Sequence, residues 1–245
     1  MSDATSNSGS PTVVLVHGAF ADASSWNGVI ERLQANGVNV TAPANPLRGI
    51  SSDSAYISAV FDETPGPVLA VGHSYGGAVI TNAAENAKNV VGLVYVAAFA
   101  PDEGETLNQV EAGSKDSVLE SALVALHLPS ANGGGQSVEL AIDPAKLKDA
   151  FAADLSAEQT ALMAATQRPV AEAAFSEPNG PPAWKHLPSW AVVATGDKAA
   201  GADVIRAEAQ RAGAKLTEVD GSHVIMISQP QAVANVILEA IAAVG

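Results

Sequence analysis

The sequence predicts an α/β protein in which a mostly parallel sheet of about six strands carries helices on both faces. Three observations lead to that class. From residue 12 onward, short β-branched runs alternate with longer helical patterns, as in strands joined by helical crossovers. The 245 residues are 47% hydrophobic and only 16% charged, enough to bury one core without staples. Helix punctuation also falls where the alternation needs it: Gly37 suits a left-handed helix end, and Pro230 suits a first helical turn.

In chain order, strands are expected at Thr12–Val16, Val38–Ala42, Val68–Val71, Val90–Val96, Trp190–Ala194 and Lys215–Val219. Helices are expected over Ser25–Asn36, Ser52–Phe61, Tyr75–Asn86, Ala202–Ala212 and Gln231–Ala243. No internal repeat is visible. The polar residues 1–11 read as a disordered tail, with the core in 12–100 and 188–245. Between Pro101 and Leu187 the alternation breaks, and helical segments follow one another with no clear strand. Asp143 before Pro144 reads as an N-cap, Ser156 with Gln159 as a capping box, Pro169 as a stop, and Asn132–Gly135 as a flexible loop. Residues 101–187 are therefore expected to form an all-helical cap, inserted before the fifth strand and lying over the carboxyl edge of the sheet.

Charge and composition exclude several classes of function. Twelve Lys and Arg against 26 Asp and Glu leave a formal charge of −14, which repels nucleic-acid phosphate and anionic lipid. With no Cys there is no disulfide framework, thiolate metal site or catalytic thiol. The first eleven residues lack the regions of an export signal, and the longest apolar stretch, Val90–Ala100, is too short to span a bilayer. A cytoplasmic protein without nucleic-acid or membrane partners is expected.

Gly72-His73-Ser74-Tyr75-Gly76-Gly77 contains the pattern G-x-S-x-G between an expected strand and an expected helix. In that setting a sharp turn lifts a serine to the sheet edge in front of a helix amino end. A serine hydroxyl needs a base, and five histidines are available. His223 follows the last strand at the same carboxyl edge. His17 and His73 lie too near their own turns to swing onto Ser74, and His127 and His186 belong to the cap. A buried carboxylate must then fix the imidazole tautomer. Asp197, after the fifth strand, fits that role; Asp102, after the fourth, competes with it, and Asp220 is too near His223 to reach round its ring. The N–H of Tyr75 and that of Ala19, in the loop Val16-His17-Gly18-Ala19-Phe20, are the candidate pair for holding an oxyanion.

The chain resembles the α/β-hydrolase superfamily over nearly its whole length from residue 12. Within it, the chain is similar to the branch of plant methyl-ester esterases and hydroxynitrile lyases. The resemblance rests on Val14-Leu15-Val16-His17-Gly18-Ala19 followed by Trp26, on Gly72-His73-Ser74-Tyr75-Gly76-Gly77, on Ala97-Ala98-Phe99-Ala100-Pro101-Asp102, on Asp197-Lys198-Ala199 and on Gly221-Ser222-His223. It implies Ser74 as nucleophile, His223 as base, Asp197 as acid, and Ala19 with Tyr75 as oxyanion donors. It also implies that Pro101-Asp102 opens the cap, which counts against Asp102 as the acid. The implied activity is hydrolysis of small or medium carboxylic esters with no cofactor and no metal; a homodimer is the candidate assembly. A cofactorless lyase, a perhydrolase and a small-molecule receptor are the alternatives on the same frame. In the related lyases a Lys follows the catalytic histidine and a hydroxyl side chain matches Gly18; here the positions hold Val224 and Gly18, with Lys185 and Lys198 the nearest candidate cations. The cap offers Leu, Met and Ala with few aromatics (Phe151, Phe175 and Trp184), so a modest apolar pocket is expected.

Overall fold

The computed structural model describes residues 9–129 and 134–245. Residues 1–8 of the expected tail, and Asn132 and Gly133 of the expected loop, lie outside the described residues. The strands, in chain order, are β1 (Thr12–Val16), β2 (Val40–Thr41), β3 (Val68–His73), β4 (Val90–Val96), β5 (Leu123–Pro129), β6 (Gln136–Ile142), β7 (Val170–Ala171), β8 (Ser189–Ala194) and β9 (Lys215–Val219). The helices are α1 (Asn27–Ala35), α2 (Ile50–Glu63), α3 (Tyr75–Asn86), α4 (Leu107–Ala112), α5 (Leu147–Phe151), α6 (Ala157–Thr166), α7 (Ala173–Ser176), α8 (Ala202–Arg211), α9 (Ile225–Ser228) and α10 (Pro230–Val244). Among the described residues none is long and apolar enough to cross a membrane.

The main sheet has the order β2-β1-β3-β4-β8-β9, and every neighbouring pair is parallel. The chain moves one way from β1 to β2 and the other way from β2 to β3, so right-handed crossovers put α1 and α2 on opposite faces. Helix α1 packs on α10, and α2 packs on α3. All six residues of β3 are buried, and each Val or Leu there contributes about 1.5–3 kcal/mol through burial. The loops after β1 and β3 therefore leave the sheet edge toward opposite faces, which opens a crevice between them.

Most expected elements appear with small shifts that have local causes. The first helix starts with a tight 3-10 turn, Ala23–Trp26, because Asp22 accepts the Ser24 N–H at 2.7 Å. The second strand is shorter than expected: Gly37 sits at φ +72°, and the Val38 N–H closes the end of α1 on the Leu33 carbonyl at 3.1 Å instead of entering the sheet. Strand β3 runs two residues further, since Gly72 and His73 still pair with Tyr95 and Val96. Helix α10 starts at Pro230, and Ser156 with Gln159 forms the expected capping box on α6, which ends at Thr166, before Pro169.

The cap differs from the expectation of an all-helical insertion. Strands β5 and β6 form an antiparallel hairpin in register from Leu123 opposite Ile142 to Pro129 opposite Gln136, and β7 adds a short third strand. Cross-strand pairing supplies what local propensity does not, because the Leu and Ala of β5 are good helix formers. Asp143 caps a turn rather than the helix itself: its carboxylate accepts the Ala145 N–H at 3.0 Å, and α5 begins only at Leu147.

Candidate active site

Ser74 joins β3 to α3 with φ +54° and ψ −124°, a conformation that costs a non-glycine residue of order 1–3 kcal/mol and persists only when its surroundings impose it. They do so through close approach: a Cβ on Gly76 would stand 2.4 Å from the Val16 carbonyl oxygen, so this turn of α3 can press against β1 only as glycine. The Ser74 carbonyl accepts the N–H groups of Gly77 at 2.9 Å and Phe99 at 3.3 Å. Its side chain is nearly buried, and among the described residues its hydroxyl makes no hydrogen bond.

The structure brings His223 and Asp197 together. His223 Nδ1 lies 2.7 Å from Asp197 Oδ2, with both side chains only 1% exposed. The other carboxylate oxygen of Asp197 accepts the N–H groups of Ala199 at 2.9 Å and Ala200 at 3.1 Å, so the carboxylate is held from two sides. Nδ1–H donating to a fixed carboxylate leaves Nε2 as the basic nitrogen. The backbone carbonyl of His223 is bonded in turn by His73 Nε2 at 3.0 Å. From the cap, Asp154 accepts the Ser222 N–H at 2.9 Å and also the Ser222 hydroxyl.

The competing groups are engaged elsewhere. Asp102 pairs with Lys185 at 2.6 Å on the surface, and the exposed Asp220 accepts the Thr195 hydroxyl at 3.3 Å. His127 is exposed on β5, and His186, also exposed, lies 3.6 Å from Glu85. Lys198 is exposed, while Val224, the residue after His223, is completely buried.

The loop after β1 is pinned by contacts that no sequence motif announced. Asn45 donates its N–H to His17 Nε2 at 2.9 Å and its side-chain amide to the His17 carbonyl at 3.0 Å. Nε2 accepts, so Nδ1 carries the proton and donates to the Gly18 carbonyl at 2.9 Å. Burial holds this imidazole below its ordinary pKa, in keeping with a neutral ring. Arg168 of the cap donates to the Asn45 carbonyl at 3.1 Å. Neither the Ala19 N–H nor the Tyr75 N–H has an acceptor among the described residues. The side chain of Tyr75 is anchored separately, its hydroxyl donating to Asp53 Oδ2 at 2.8 Å. Burial pushes both the Tyr75 hydroxyl and the Asp53 carboxyl up, and the Arg48 N–H at 3.0 Å opposes part of the shift at Asp53.

Two of the three cap aromatics reach this region. Phe151 lies 5.0 Å from the His223 ring and 6.0 Å, edge-on, from Phe20; Phe175 lies 6.5 Å from Phe20 and 6.3 Å from Tyr75. Trp184 instead donates to the Pro101 carbonyl at 3.1 Å. Among the described residues no group of three or more acidic or histidine side chains is placed to hold a metal.

Comparison with known proteins agrees with this architecture. The sequence model of the Alpha/beta hydrolase family matches residues 13–236. A carbendazim hydrolyzing esterase of Nocardioides sp. (strain SG-4G) is 32% identical over 107 residues, which cover 38% of this chain and 44% of that protein. The match thus spans less than half of that relative. Polyneuridine aldehyde esterase superposes with a TM-score of 0.78 at 20% identity, over 94% of this chain and 99% of that one. A methylesterase from Arabidopsis superposes at 0.77 and 18% identity, over 95% and 99%. A pyrethroid hydrolase from Sphingobium faniae JZ-2 superposes at 0.75 and 21%, over 95% and 98%. At these identities the structural likeness speaks to the fold.

Proposed function

The chain belongs to the alpha/beta hydrolase family, and on that premise we propose that it is a serine hydrolase of small or medium carboxylic esters, with Ser74 as nucleophile, His223 as base and Asp197 as acid. One observation carries the reading: the buried Asp197–His223 pair is tied through His73 to the turn that presents Ser74. The names of the similar proteins, three esterases and a pyrethroid hydrolase, support the same class of chemistry.

Ser74 Oγ attacks the ester carbonyl carbon while its proton passes to His223 Nε2. Asp197 keeps the ring in the needed tautomer and stabilises the imidazolium. The developing oxyanion takes the unpartnered N–H groups of Ala19 and Tyr75, preorganised donors whose removal typically costs a factor of about 100–1,000 in rate. The tetrahedral intermediate collapses, the alcohol leaves with the proton from His223, and an acyl-enzyme remains. Water then attacks the acyl carbon as His223 takes its proton, and collapse returns the proton to Ser74 Oγ and releases the acid. No cofactor takes part in these steps.

The lyase alternative is disfavoured. Val224 supplies no cation, and Lys185 is paired with Asp102. A side chain at Gly18 would meet Ser74 Cβ at 2.7 Å, so the hydroxyl found there in the related lyases has no room without a shift. The test is a panel of p-nitrophenyl and methyl esters of increasing acyl length, with wild type and Ser74→Ala. Hydrolysis that depends on Ser74 and declines toward long chains is expected; a panel left untouched, or cleaved equally by S74A, overturns the reading.

A further inference from the structure

A cavity of about 620 Å³ lies beside the site, walled by Asn108 and Glu111 of α4, by Ser117 and Glu120, by Leu140 of β6 and by Phe175. Phe175 is the ring that approaches Phe20 and Tyr75, and Ser117 is bonded to the carbonyl of Ala199, two residues after Asp197. Two side chains of the cavity wall thus connect it to the site, Phe175 toward the candidate oxyanion loop and Ser117 toward the loop of the acid. Its described lining holds two carboxyls and no Lys or Arg.

Glu111 is partly buried, and no cation pairs with it among the described residues. Its Oε1 lies 3.0 Å from the Ser117 hydroxyl, which lies 2.6 Å from the Ala199 carbonyl oxygen. A hydroxyl has one proton, and a carbonyl oxygen only accepts. The Ser117 hydroxyl can donate to either acceptor but has one proton, and the shorter contact is with Ala199, so Glu111 holds at most a shared hydrogen bond from it. Desolvation pushes Glu111 up to about 7; the Ser117 hydroxyl and the charge of His223 oppose part of that rise, and the carboxylates of Glu120 and Asp197 add to it.

A carboxyl that lacks a cation, set among amide and hydroxyl groups and an aromatic ring, is the chemistry that receives an ammonium group. We propose that Glu111 is a specificity-determining residue, and that the cavity receives the ammonium end of a cationic ester. The proposal rests on the ester-hydrolase reading of Ser74 and deepens it. When the ammonium enters, Glu111 releases its proton to solvent, and an ion pair replaces the Glu111–Ser117 bond.

The test compares acetylcholine with its uncharged isostere 3,3-dimethylbutyl acetate, as the ratio of kcat/KM, in wild type and Glu111→Gln from pH 6 to 8.5. Protonation of His223 acts on both esters and cancels in the ratio. In wild type the ratio is expected to favour the cationic ester by about tenfold or more at pH 8 and to fall as pH drops through 7; in E111Q it stays near one throughout. Tetramethylammonium should also inhibit wild-type hydrolysis of p-nitrophenyl acetate more strongly at pH 8 than at pH 6, a measurement that needs no variant. Ser74-dependent turnover of both esters with a wild-type ratio near one, a ratio that E111Q leaves unchanged, or no inhibition by tetramethylammonium overturns this proposal and leaves the esterase reading standing. Absence of Ser74-dependent turnover of every ester overturns that reading, and the proposal with it.

Discussion

His73 Nε2 lies 3.0 Å from the backbone carbonyl oxygen of His223, and the two imidazole rings stand 4.7 Å apart. Burial and the neighbouring His223 hold His73 well below the usual histidine range, so it is neutral and donates from Nε2. The residue before the candidate nucleophile therefore fixes the backbone of the candidate base. Replacing His73 by Ala leaves a buried carbonyl unsatisfied, at about 1–3 kcal/mol, and frees the loop. The expected result is a fall of about 10–100-fold in kcat with little change in KM, partly restored by His73→Gln, whose side-chain amide still donates. Steady-state kinetics of the two variants checks this.

Ser74→Ala and His223→Ala should each lower ester turnover by several orders of magnitude, and the double variant should be little worse than either, because in the proposed mechanism the two side chains act as one unit. Asp197→Asn should cost far more than Asp102→Asn. The first leaves the imidazole tautomer unspecified, whereas the second only breaks an exposed pair with Lys185, worth about 0–1 kcal/mol. Equal losses in the two Asn variants would refute the assignment of the acid.

Gly18→Ser offers a steric check. A Cβ at this position would lie 2.7 Å from Ser74 Cβ and 2.9 Å from the His73 carbonyl oxygen, so either the loop after β1 or the serine turn must move. Moving the Ala19 N–H away from the oxyanion is expected to cost about 100-fold in kcat. Release of cyanide from mandelonitrile should stay at the uncatalysed rate in both proteins.

The parallel sheet is legible because its signal is local. The apolar runs of β1 and β4 and the alternating β9 begin and end where they are expected, and the turn around Ser74 announces itself by its glycines. The cap hairpin is harder to read. Strand β5 is mostly exposed, and its Leu and Ala suit a helix equally well, so only pairing with β6 decides its form. In β6 the alternation of Ser137, Glu139 and Ala141 with Val138, Leu140 and Ile142 is a period-two signal that could have indicated a strand. The supporting residues have no such cue. Asn45 meets His17 across 28 positions, Asp53 meets Tyr75 across 22, and Arg168 reaches Asn45 across 123, contacts that exist only once the sheet and cap have assembled.

Glu208 predicts a pH dependence of stability. It is nearly buried on α8, accepts the Ala100 N–H at 3.1 Å, and desolvation pushes its carboxyl up to about 7. Its folded pKa thus exceeds the unfolded one. Its contribution is fully present below about pH 4.5, where both states are protonated, and is lost as pH rises through 7, by an amount on the order of 3 kcal/mol. Glu208→Gln removes this titration. Thermal melts at pH 5 and pH 7.5 should show a larger fall in Tm for wild type than for E208Q; identical falls would contradict the argument.

Whether Ser74 is the nucleophile of an ester hydrolase is decided by titrating the protein with a p-nitrophenyl alkylphosphonate and locating the adduct by mass spectrometry. One adduct per chain is expected, on Ser74, with esterase activity lost in proportion to labelling and no adduct in Ser74→Ala. Labelling at another residue, or hydrolysis that survives complete labelling of Ser74, would contradict this assignment.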